Sequence, residues 1–165
     1  MLLPPRVPYL TCTDTASAVT AVAALAPRTV IIDVEPLIAS WNTDRDTLDA
    51  GLAAFLDIAA SLGGLHCEEI VFATNAWRRP SALTARGAAR LDYVAHAGKP
   101  VRVERFRGLA GPGVVVGDQI ATDGVLARRL GYTFVHYVPG GLSRPPGTQL
   151  MHAFGRPLRH LLFRG

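Results

Sequence analysis

Three apolar runs in this chain each end on residues able to do phosphate and metal chemistry. Val30-Ile31-Ile32 leads into Asp33, with Glu35 two residues on; Val71-Phe72-Ala73 leads into Thr74 and Asn75; Val114-Val115-Val116 leads into Gly117-Asp118, with Asp123 after it. Lys99 stands between the second and third of these, the single lysine in a chain with sixteen arginines. A carboxylate, a hydroxyl, an ammonium and an acidic pair meeting at one place make a site for a phosphoryl group and Mg²⁺. One carboxylate can attack phosphorus covalently. Others, with substrate oxygens and water, satisfy Mg²⁺, which takes few protein carboxylates. Ammonium and metal together offset the charge on the transferring group, which is most of what phosphoryl transfer requires.

Such a convergence needs a frame that brings strand ends together. Thr13-Asp14 can cap a helix over 15–25 that Pro27 ends. Thr29 to Ile32 then reads as a buried parallel strand stopping at Asp33. Asn42-Thr43-Asp44 caps a second helix over 45–62, with Leu48, Leu52, Phe55, Leu56 and Ala59 at helical spacing and Gly63-Gly64 closing it. Strands follow at 70–73, 93–95, 114–116 and, last, from 133. Helices are expected at 80–90, opened by Pro80, and at 121–130, stopped by Gly131. Strands alternating with helices indicate an α/β fold, a parallel sheet sandwiched by helices, and such sheets bind ligands at the carboxyl ends of their strands. The length, 165 residues, fits one domain. Its core covers about 29–139, and Pro139-Gly140-Gly141 and Pro145-Pro146-Gly147 mark an exit into a tail.

Taken in order, these segments resemble the four motifs of the haloacid dehalogenase (HAD) superfamily. Val30 to Glu35 is similar to the first, an apolar strand followed by Asp-x-Asp-x-Thr. Val71 to Asn75 is similar to the second, Lys99-Pro100 to the third, and Val115-Val116-Gly117-Asp118-Gln119-Ile120-Ala121-Thr122-Asp123 to the fourth, the longest and most specific match. Lys-Pro in the third, Trp41 after the first, and Arg129-Leu130-Gly131-Tyr132-Thr133 before a strand ending at Pro139 look like the class IIIA branch of YqeG-like and phosphatidylglycerophosphate phosphatases.

The resemblance implies a Rossmann-like HAD core and phosphate-monoester hydrolysis through an aspartyl-phosphate. Asp33 would be the nucleophile and a Mg²⁺ ligand, the backbone carbonyl of Glu35 a second ligand and Asp118 a third, with Asp123 supporting them from behind. Thr74 would bond the phosphoryl oxygens with Asn75 nearby, and Lys99 would pair with Asp33 and the phosphate. Only one helix fits between Glu35 and Thr74, and one between Asn75 and Lys99. The resemblance therefore implies a capless member whose open site suits a large or membrane-presented substrate, or one that a second subunit or a protein partner covers. Glu35 and Leu37 depart from the family's Asp and Thr. The added methylene of Glu35 moves the acid by about 1.5 Å, and misplacement of about 1 Å can cost on the order of a hundredfold. A slow or inactive HAD-like binding or assembly protein is the alternative.

The remaining features bound this reading. No run of about 18 apolar residues exists to span a bilayer, and Met1 to Pro5 lacks a basic leader start, so the cytoplasm is the expected location. Cys12 and Cys67 have no metal-like spacing, and Cys67 is expected to be buried. A net charge of +4 suits an anionic partner, yet no nucleic-acid-binding motif accompanies it. Trp41 and Trp77 flank the expected mouth, as stacking faces or as rim packing. Arg78-Arg79 could meet a phosphate or an anionic lipid, or be a solvated pair. In the tail, Leu150, Met151, Phe154, Leu158, Leu161 and Leu162 share one helical face and His152, Arg156, Arg159, His160 and Arg164 the other. Such a stripe can lie on an anionic membrane, but packing on the sheet or on another subunit is the favoured expectation, with a kink at Pro157.

Overall fold

A computed structural model describes residues 5–84, 87–141 and 145–164. It is α/β, with one parallel sheet of seven strands in the order β4-β3-β2-β5-β6-β1-β7. The strands are β1 (Val7–Cys12), β2 (Thr29–Asp33), β3 (Glu69–Ala73), β4 (Arg90–Val94), β5 (Gly113–Gly117), β6 (Thr133–Tyr137) and β7 (Phe163–Arg164). Because all run the same way, the residues after β2, β3 and β5 emerge at one edge.

Alternation along β2 explains why the sheet needs helices on both faces. Val30 and Ile32 point into a layer with Val19, Leu48, Leu52 and Phe55, while Ile31 points into the opposite layer with Phe106, Leu126 and Phe134. All three β2 residues are fully buried. The first layer is covered by α1 (Thr15–Leu25) and α2 (Arg45–Ser61). Asp14 caps α1 in a reciprocal capping box with Ser17, and Asp44 caps α2 by accepting from the Thr47 N–H at 2.8 Å. The five apolar residues expected on the buried face of α2 are all buried. Gly63 and Gly64, with φ of 94° and 82°, turn the chain away after it.

Several segments differ from the sequence expectation. The helix expected at 80–90 is absent from its described residues: 80–84 and 87–89 are irregular, and residues 85–86 lie outside the described set. The stretch has no apolar stripe to bury, and its Ser81 N–H is taken by Asp49 of α2 at 3.0 Å. The third strand starts earlier than expected, at Arg90 rather than 93, and pairs with β3 at the sheet edge. The helix expected over 121–130 begins as a π-helical turn, Ile120–Gly124, and continues as α3 (Val125–Leu130). β6 is not the last strand, since β7 follows and pairs with β1. Cys67 is only half-buried, whereas Cys12 is buried, with its thiol pushed up to about 11, first by burial and then by Asp14.

The largest difference is the tail. Pro146-Gly147 do not extend an exit but open α4 (Pro146–Leu162), with proline in the first turn, where its missing N–H costs nothing. The helix continues through Pro157. It packs with Gly155 against the π-turn, where a Cβ would lie 3.0 Å from Ile120. Leu158 and Leu162 join the core layer, but Leu150, Met151, Phe154 and Leu161 are exposed, so only part of the expected stripe is packed. Among the described residues no helix is long and apolar enough to cross a membrane. Residues 1–4 lie outside the described set.

Phe72 is fully buried on the first layer, edge-on to Phe55 at 5.9 Å. Phe72→Ala is expected to cost about 3–5 kcal/mol of folding stability, read as a lower urea midpoint. An unchanged midpoint would contradict this packing.

Candidate functional site

Asp33 ends β2 in the centre of the sheet, with a side chain only 8% exposed. Lys99 arrives from the loop after β4, and its ammonium, 2% exposed, lies 2.8 Å from Asp33 Oδ1 and 2.7 Å from Asp123 Oδ1. Its third proton faces the Ala73 carbonyl at 3.3 Å, so all three donors are used. Two hydrogen bonds fix the lysine's backbone. Asn75 Nδ2 donates to the Lys99 carbonyl at 3.1 Å, and the Lys99 N–H donates to Asn75 Oδ1 at 2.9 Å. Asn75, expected near the phosphate, thus serves as a clamp on the Lys99 loop.

Asp118 follows β5 and Asp123 sits on the π-turn, both fully buried. Gly117 makes their approach feasible, because a Cβ there would come within 2.5 Å of the Asp123 carboxyl. The second Asp123 oxygen accepts from the Gln119 N–H and the Thr122 hydroxyl, both at 3.3 Å. Asp33, Asp118 and Asp123 bring carboxylate oxygens within 4.8 Å of one another, a group that can hold a metal ion. Hard oxygen donors of this kind suit Mg²⁺. The electrostatics follow from crowding. Burial and then Asp123 push Asp33 well above the usual carboxylate range, against the pull of Lys99. Burial alone would lower the Lys99 pKa, but Asp123 and Asp33 outweigh it and raise it.

Glu35 is held differently. Its Oε2 accepts from the Thr74 hydroxyl at 2.7 Å, and its Oε1 pairs with the Arg78 guanidinium. Thr74 in turn accepts from the Ala76 N–H at 2.9 Å. Arg78 also donates to the carbonyls of Ser40 at 3.0 Å and Thr43 at 3.2 Å. It is therefore a built-in partner of Glu35 and not half of a solvated pair. Asp33, Glu35, Trp41, Asn75, Arg78 and Thr122 are among the residues lining a cleft of about 450 Å³ at this edge. Trp77 lies outside that lining, 77% exposed and stacked on His96 at 3.9 Å.

Two histidines that sequence reasoning missed also reach Asp118. A carbonyl and a carboxylate only accept, so each histidine donates through Nε2. His136 of β6 donates to the Asp118 carbonyl at 2.9 Å, and His152 of α4 donates to Asp118 Oδ2 at 2.9 Å. Tyr9 of β1 is 2.6 Å from His136 Nδ1 and donates its hydroxyl there to the neutral ring. Burial holds the His136 pKa low, which keeps the ring neutral. No spacing pattern signals these contacts; only the pairing of β1 with β6 and the docking of α4 create them. Comparison with family models, curated proteins and solved structures returns no match for this chain.

Lys99→Met would leave Asp33 and Asp123 buried without their shared cation. Removing one partner from such a pair costs about 3–5 kcal/mol, so the variant should unfold at markedly lower denaturant. Mg²⁺ should raise its melting temperature more than that of the wild type. Equal stability of the two proteins would mean that the ammonium does not hold the cluster.

Proposed function

We propose that the chain is a Mg²⁺-dependent phosphate-monoester hydrolase of the HAD type, with Asp33 as nucleophile. The observation that carries this reading is the Lys99 ammonium clamped between Asp33 and Asp123, beside Asp118, where Asp33 opens into the cleft. Asp33 is the one carboxylate of the three among the cleft-lining residues. Its oxygen would attack phosphorus as the ester P–O bond breaks, giving an aspartyl-phosphate and an alcohol or phenol once the leaving oxygen takes a proton. Water would then release phosphate and restore Asp33. Lys99 holds Asp33 in place and offsets charge on the transferring group. Asp33 and Asp118, with the Glu35 carbonyl, would hold the cation, which would supply further charge neutralisation.

One observation favours a slow enzyme, or a binding protein on the same scaffold. Both Glu35 oxygens are engaged, by Thr74 and Arg78, so the carboxyl is not offered to a leaving group. General acid catalysis typically contributes about 10²–10⁴-fold, and an alkyl ester needs that proton more than an aryl ester does. Among the described residues only α2 lies between β2 and β3, and only β4 is regular between β3 and Lys99. No inserted module covers the cleft there, which suits a large substrate.

The expected outcome is slow, Mg²⁺-dependent hydrolysis of p-nitrophenyl phosphate, at least about a hundredfold slower on an alkyl phosphate, and abolished in Asp33→Asn. Wild type as inactive as Asp33→Asn on both substrates would leave the binding reading in its place. Calorimetry supplies the second check: Mg²⁺ should bind the wild type and not Asp118→Ala.

A further inference from the structure

Asp118 is held by two imidazoles from elements later in the chain, one on β6 and one on α4. Its backbone carbonyl accepts a hydrogen bond from His136 Nε2, and its carboxylate accepts one from His152 Nε2 at 2.9 Å. His152 belongs to α4, which is separated from the rest of the cluster in sequence and is seated by independent contacts. Gly155 allows close approach to Ile120 and Ala121. The Arg159 guanidinium lies 4.7 Å over the Tyr9 ring, and the Arg128 guanidinium donates to the Leu161 carbonyl. His152 is thus aimed by a docked helix and not by a free tail. Its side chain is 21% exposed while that of Asp118 is fully buried.

We propose that His152 is a positioning residue for the cation: it fixes the Asp118 carboxylate by hydrogen bonding to Oδ2, and α4 is therefore a working part of the metal centre. The inference rests on the Mg²⁺ reading of the Asp33, Asp118 and Asp123 group. A carboxylate turns about its last bond, and a donor on one oxygen removes that freedom before the cation arrives. Partners of this kind, touching a ligand and not the metal, typically contribute about 10–100-fold in metal affinity. Linkage makes the effect mutual. If docking of α4 tightens cation binding, cation binding must tighten docking of α4 by the same factor.

The test is Mg²⁺ titration of the full chain by calorimetry, with hydrogen exchange across α4 in the presence and absence of Mg²⁺. His152→Ala should bind Mg²⁺ about 10–100-fold more weakly. His152→Gln, whose amide can donate from a similar reach, should recover most of the loss. Mg²⁺ should slow exchange in α4 of wild type and His152→Gln, and not in His152→Ala. Affinity in His152→Ala equal to or above wild type overturns the proposal; a gain would mean that the imidazole competes with the cation. His152→Gln as weak as His152→Ala also overturns it, since packing and not the hydrogen bond would then carry the effect. A wild type that binds no Mg²⁺ removes the metal reading itself, and this inference with it.

Discussion

The structure depends on one electrostatic constraint: buried carboxylates cannot stay ionised together in a small volume without a cation among them. Asp33 and Asp123 have one in Lys99, whose ammonium is almost wholly removed from water. The cost of burying it is met only because each of its protons has an acceptor. That requirement reaches outward. The lysine must arrive at a fixed height above the sheet, so Asn75 grips its backbone on both sides. The glycine before Asp118 leaves space that any side chain would take from Asp123. The wider fold can be understood as the scaffold that brings the β2 end, the β3 end and the π-turn to the same ammonium.

A second carboxylate arrangement stands beside the first and is satisfied by different partners. Glu35 is satisfied by a hydroxyl and a guanidinium, Thr74 and Arg78, and Arg78 is tied in turn to the backbone before α2. The two arrangements lie side by side at the cleft but differ in kind. Around Asp33 a single cation is shared among acids, and charge is crowded. Around Glu35 an acid and a base are matched. The first arrangement has use for further positive charge, and the second does not.

Much of this was legible in the sequence because it depends on local pattern. β2, β3 and β5 are continuous apolar runs, which buried parallel strands require, and each ends on the residues that meet at the site. The buried face of α2 follows from its 3.6-residue period. The failures share a cause as well. β1 carries Pro8 and has half-exposed residues, so neither alternation nor an apolar run marks it; its place is set by β6, far along the chain. Arg78 has no local sign of its partner forty-three residues earlier. His136 and His152 sit among ordinary tail and strand residues, and only tertiary pairing turns them toward Asp118. Periodicity placed the apolar stripe of α4 inward, but a helix with polar contacts to make buried the face holding His152 and Gly155.

The adjacency of β1, β6 and β7 has a consequence for how the chain is made. Among the described strands β1 is the first in the chain, so it leaves the ribosome before the others, and its partners β6 and β7 leave after them. A nascent chain can pair β2 with β3 and then β5 while β1 still waits, since closing so long a loop cannot begin before its far end exists. The acidic cluster can therefore assemble in two stages during synthesis. Lys99 can neutralise Asp33 as soon as the middle of the chain has emerged, whereas Asp118 gains both imidazoles only when translation has passed residue 152.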